Sequence, residues 1–148
     1  MSAMRYTGPV ARTLGLALLL AGWSTQICAA ELTITIENIR NDKGDVLISI
    51  YTSQTDWLEE STPDHDGKQK AQAGSVVFKF DLLPGVYGAA AFHDENSNGV
   101  FDTNFLGLPL EGYAMSNDAR PFLSRPSFDA ASFTLPPEGA AIVMHMGY

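Results

Sequence analysis

The chain has 148 residues, with 9 lysines and arginines against 17 aspartates and glutamates, for a formal net charge of -8. That balance works against binding nucleic acid or an anionic membrane through basic patches. One cysteine excludes a framework of internal disulfides.

Arg5 and Arg12 precede an apolar run from Leu14 to Trp23, and a polar stretch then ends in Cys28-Ala29-Ala30. This is the three-part layout of a secretory signal peptide. The ten apolar residues fall short of the roughly 20 that cross a bilayer as a helix. Cleavage is expected after Ala30, where Cys28 and Ala30 supply small side chains one and three positions before the cut. Ile27, directly before Cys28, is too large for a lipidation site. Residues 1–30 are therefore expected to be a cleaved signal peptide and 31–148 one domain, periplasmic or secreted. That domain holds no cysteine and no transmembrane segment, and its 7 basic against 17 acidic residues leave a charge of -10.

Leu32, Ile34 and Ile36 alternate with polar residues, and after Asn41-Asp42-Lys43-Gly44 the alternation resumes at Val46, Ile48 and Ile50. Two such runs around a turn of this composition predict a β-hairpin. Residues 52–74 turn polar and read as a loop, with Ser53 or Thr55 capping a short helical turn that carries Trp57 and Leu58. His65, between Asp64 and Asp66, belongs to that loop as a solvated side chain. Val76, Phe78 and Phe80 mark another strand, and Leu83-Pro84-Gly85 turns the chain into Val86–Phe92. The small residues Gly88 to Ala91 allow a large side chain or another backbone to approach. A long stretch, 94–126, is rich in Gly, Asn, Pro and aromatics, the composition of an ordered loop. Strands at 132–135 and 141–146 complete the pattern. With scarcely any helical periodicity, these elements predict an antiparallel sandwich or open barrel.

Asp94-Glu95-Asn96-Ser97-Asn98-Gly99-Val100-Phe101-Asp102 places oxygen-bearing side chains at positions 1, 3, 5 and 9 and glycine at 6. Calcium takes six to eight oxygens, and a tightly wound loop of this spacing aims alternate side chains inward. Asp94, Asn96, Asn98 and Asp102, the carbonyl of Val100 and, folding back, Glu111 are the expected ligands of a weak calcium site. Glu95 and water are alternatives for the last place, because position 12 is Phe105 rather than a bidentate glutamate. The same residues also read as a tight turn without metal.

Elsewhere, His93 and His145 lack the second histidine or cysteine that a transition metal needs. No serine is framed as a nucleophile. Arg120 and Arg125 sit among aromatics, either to hold an acidic ligand or to pair with the acids of the loop.

The ordered set Leu83-Pro84-Gly85-Val86-Tyr87, Phe92-His93-Asp94-Glu95-Asn96-Ser97-Asn98-Gly99, Gly107-Leu108-Pro109, Glu111-Gly112-Tyr113, Ser116-Asn117 and Pro126-Ser127-Phe128-Asp129 resembles the exported bacterial family known as domain of unknown function 2141. The similarity covers nearly the whole exported part. A looser similarity is to calcium-binding adhesin repeats with prealbumin-like sandwiches, whose loops carry glutamate where this chain has Phe105. The resulting expectation is an all-β, single antiparallel sandwich of the immunoglobulin or prealbumin kind, with about seven strands and one long ordered loop. Its expected role is non-enzymatic, a calcium-stabilised binding or assembly module for a protein or small-molecule ligand. A metal-assisted hydrolase of the cell envelope using His93, Glu111 or Arg125, and a structural protein of the outer membrane, are the alternatives.

Overall fold

The computed structural model of the protein describes residues 28–58, 63–120 and 126–148. The apolar run at 14–23, expected to belong to a signal peptide, and Arg125 lie outside these. Among the described residues, eight strands form two packed sheets: β1 (Ala30–Ile39), β2 (Asp45–Tyr51), β3 (His65–Lys70), β4 (Gly74–Leu82), β5 (Gly85–Asp94), β6 (Gly112–Met115), β7 (Phe133–Leu135) and β8 (Ala140–His145). One sheet runs β4-β1-β8, the other β3-β2-β5-β6, with β7 also on β5. The all-β sandwich is as expected, except that β1 and β8 pair in parallel.

The predicted hairpin between the first two strands does not form. β1 pairs with β4 and β8, while β2 pairs with β3 and β5, so residues 40–44 cross from one sheet to the other. A hairpin would have set both apolar faces on the same side of one sheet. By crossing, the chain sets Leu32, Ile34 and Ile36 in the same core as Val46, Ile48 and Ile50, all at most 1% exposed. Burying each is worth about 1.5–3 kcal/mol, more than any turn preference. Five residues span up to ~17 Å, ample for sheets packed ~10 Å apart. Asn38, at φ 65°, forms the irregularity near the end of β1 that returns Ile39 to the core.

The polar 52–74 stretch is not all loop. His65–Lys70 is an edge strand on β2, and exposed His65 belongs to it. No apolar alternation announces β3, because main-chain pairing to β2 and two ion pairs hold it: Lys68 and Lys70 reach the Asp45 carboxylate at 3.1 and 2.7 Å. These ammonium groups hold that carboxyl down to about 2. The turn before β3 does carry Trp57, which packs edge-on to Tyr51 and Phe128 in a satellite core. Gly88 makes that packing possible, since a Cβ there would stand 2.9 Å from the indole. The Pro84-Gly85 turn is fastened by the Tyr87 hydroxyl, which donates to the Leu83 carbonyl at 2.7 Å. After β6 come a 3₁₀ turn at Ser116–Asp118 and the short helix α1 (Phe128–Ala131), whose first turn is capped by the Ser127 hydroxyl.

Candidate functional site

Strand β5 ends at Asp94, paired with Asp45 of β2, and the chain does not rejoin the sheet until Gly112. Between them lie a wound turn and a protruding hairpin. Asp94 is fully buried, and its two carboxylate oxygens accept from the main-chain N–H groups of Asn98 (3.1 Å) and Gly99 (2.7 Å). The Asn96 side-chain oxygen accepts from Asn98 N–H at 2.9 Å, and that of Asn98 from Val100 N–H at 2.8 Å. These bonds turn the backbone sharply enough that Ser97 and Gly99 take positive φ. The two amide NH2 groups then converge on one oxygen of Asp102, at 2.7 Å from Asn96 and 3.0 Å from Asn98.

Glu111 does fold back. One of its oxygens accepts from Asp102 N–H at 3.1 Å; the other is buried without a hydrogen-bond partner. Burial, and then the neighbouring charges of Asp94 and Asp102, push the Glu111 carboxyl above its ordinary value, against the opposite pull of the Asp102 and Glu95 main-chain N–H groups. The sequence-predicted ligands Asp94, Asn96, Asn98, Asp102 and Glu111 thus surround one region. A cleft of about 330 Å³ opens beside them, lined by Lys43, Glu95, Asn96, Asp102, Leu110 and Glu111. No group of three acidic, histidine or cysteine side chains among the described residues is already gathered as a metal cage. The donors are carboxylate and amide oxygens, a hard set suited to calcium, and carbonyl oxygens that hold one N–H keep a second lone pair.

A family model described as "Uncharacterized protein conserved in bacteria (DUF2141)" matches residues 34–143, from within β1 to within β8. The chain belongs to this family. No curated protein and no solved structure matches it.

In this DUF2141 chain Glu95, an alternative ligand by sequence, is engaged elsewhere. Arg40 grips it through Nε at 2.5 Å and Nη2 at 2.8 Å, and Asn41 adds a bond of 2.9 Å. The Arg40 bond, foremost, holds the Glu95 carboxyl down to about 2. Phe105, which interrupts the loop pattern at position 12, is 95% exposed at the hairpin tip. His93 is fully buried with both ring nitrogens committed, Nε2 to the Lys43 carbonyl and Nδ1 to the Tyr148 hydroxyl, each at 2.7 Å. A carbonyl only accepts, so Nε2 carries a proton. The imidazole therefore fastens the loop base and does not line the cleft as a hydrolase would require.

Arg120 does not pair with the acids of the loop. It donates to the carbonyls of His145 (2.7 Å) and Tyr113 (3.4 Å) and lies over the Tyr113 ring. The β8 backbone satisfies it at closer range than the loop can. His145, half-exposed on β8, bonds Asp118 through Nδ1 at 2.7 Å. Sequence reasoning missed Arg40, Asn41, Lys43 and Tyr148, which meet the loop only through sheet packing.

Proposed function

We propose that the protein is an exported, calcium-stabilised binding or assembly module, in which Asp94, Asn96, Asn98, the Val100 carbonyl, Asp102 and Glu111 hold the ion. The observation that carries this reading is the Glu111 carboxylate, buried beside Asp94 and Asp102 with one oxygen that makes no hydrogen bond of ordinary geometry. Such an atom costs about 1–3 kcal/mol unless something positive meets it, and a divalent cation would answer all three carboxylates together. The ion must displace the two amide N–H groups from Asp102, which fits a weak site of ~10⁻⁴ to 10⁻³ M. Calcium at ten times such a Kd adds about 1.4 kcal/mol to stability. The leader at residues 1–30, read from sequence, supports export to a compartment where millimolar calcium is met.

The test is thermal melting across a calcium titration, with Asp102→Asn as the control, which keeps the shape and removes a charge. A melting temperature that climbs with millimolar calcium in the natural protein and not in the variant is expected. A flat response, or an equal one in both proteins, would remove calcium from the account.

A further inference from the structure

Among the asparagines of the chain, Asn98 alone precedes a glycine. The side-chain amide of an asparagine can close on the main-chain nitrogen of the next residue, and a Cβ on that residue obstructs the approach. Gly99 has none, and the space where a Cβ would stand is empty to 4 Å. Both residues are exposed to solvent. The bonds around them favour the closure. Asn98 Oδ1 accepts from Val100 N–H at 2.8 Å, which folds the side chain forward over the intervening Gly99 nitrogen and draws electron density from the amide carbon. Gly99 N–H donates to Asp94 Oδ2 at 2.7 Å, and a carboxylate acceptor leaves that nitrogen more electron-rich. Holding nucleophile and carbonyl side by side in one turn replaces a chance encounter with a standing one.

We propose that Asn98-Gly99 is a site of self-modification, through a succinimide, that calcium guards. The Gly99 nitrogen bonds to Asn98 Cγ, the Cγ–Nδ2 bond breaks, and the NH2 group leaves with the Gly99 proton as ammonia. Water then opens the imide ring at one or the other carbonyl, leaving aspartate or isoaspartate in place of Asn98. Water is the only other reactant. Either product adds a negative charge to a loop that already carries Asp94 and Asp102, with Glu111 beside it, and an aspartate there is a stronger calcium ligand than the amide. Calcium acts through Asn98 Oδ1: an ion on that oxygen takes it from Val100 N–H and holds Cγ away from the Gly99 nitrogen. The site stands on the bonds of the turn itself, whereas its protection by calcium rests on the calcium reading.

The experiment incubates the purified protein in mildly alkaline buffer, with chelator or with millimolar calcium, and follows the chymotryptic peptide 93–101 by mass spectrometry. In chelator, exchange of NH2 for OH, assigned to position 98 by fragmentation, should run roughly tenfold or more faster than at Asn96 or Asn104, and calcium should slow it by a similar factor. Asn98→Gln, whose longer side chain closes the ring poorly, should stay intact. Asn98→Asp should lower the calcium midpoint of the thermal shift about tenfold; an unchanged midpoint would sever the modification from the ion. An intact Asn98 in chelator, or conversion no faster than at Asn96 and Asn104, refutes the site. If calcium raises the melting temperature but does not slow conversion, the protection is refuted and the calcium reading stands. If calcium has no thermal effect, the calcium reading and the protection fall together, and rapid conversion at Asn98 still supports the site.

Discussion

Glu111→Gln should stabilise the domain without calcium and abolish its response to calcium. In the natural protein one carboxylate oxygen holds Asp102 N–H at 3.1 Å and the other is buried unpartnered. Glutamine keeps an acceptor for Asp102 and brings donor N–H groups toward the carboxylates of Asp94 and Asp102. Relieving one unsatisfied buried oxygen is worth about 1 kcal/mol, the low end of its usual cost. In a domain of roughly a hundred residues that raises the melting temperature by about 4 °C. Calcium at ten times a millimolar Kd should lift the natural protein by about 1.4 kcal/mol and leave the variant where it was. The pH dependence has a definite sign. Because burial raises the folded-state value of Glu111 above the ordinary 4.5, its ionisation destabilises the fold. The deficit relative to the variant is full above the raised value and disappears as pH falls through it towards 4.5 and below. Differential scanning calorimetry at pH 7 and pH 4, with and without calcium, reads all four quantities. A variant that melts lower in chelator, or still gains with calcium, would show that the carboxylate is neither strained nor a ligand.

The Arg40 to Glu95 pair carries the opposite sign. Glu95 titrates at about 2 in the fold against 4.5 ordinarily, so its contribution is full above 4.5 and lost as pH falls through 2. Glu95→Gln should cost about 1 kcal/mol at pH 7, no more because Arg40 is half-exposed, and only a small fraction of that at pH 2; urea melts at the two values decide it. Tyr148→Phe removes the hydroxyl that serves His93 Nδ1 at 2.7 Å and Arg40 N–H at 3.1 Å. A loss of about 1–3 kcal/mol is expected, with faster amide exchange at Lys43–Asp45; unchanged exchange would mean the imidazole does not fasten the loop. Gly88→Ala presses a methyl to within 2.9 Å of Trp57 and 3.0 Å of Phe128. Overpacking of this kind costs about 1–3 kcal/mol, visible in a denaturation midpoint followed by tryptophan fluorescence, and an unshifted midpoint would contradict the close approach.

Alternating apolar residues made β1, β2 and β4 legible, because a half-buried strand writes its period into sequence. The wound turn at 94–102 was legible for a similar local reason: closely spaced Asp and Asn side chains around a glycine bond the nearby main chain. β3 was not legible, since His65–Lys70 is held by its pairing to β2 and by Lys68 and Lys70 on Asp45. Nor was the destination of the first turn. Asn41-Asp42-Lys43-Gly44 has the chemistry of a hairpin, yet the chain crosses between sheets there, because two apolar faces bury each other only from opposite layers. That crossing delivers Arg40 to Glu95 and Lys43 to His93 and the cleft. The amino-acid order by itself determined which strands have a buried side and which side chains ring the loop. Only the packed sandwich decided that Glu111 returns to Asp102 with one oxygen unmet, and that the residue interrupting the loop pattern, Phe105, stands at the tip of a finger. Local spacing dictates local turns, whereas distant partners meet only where burial brings their strands together.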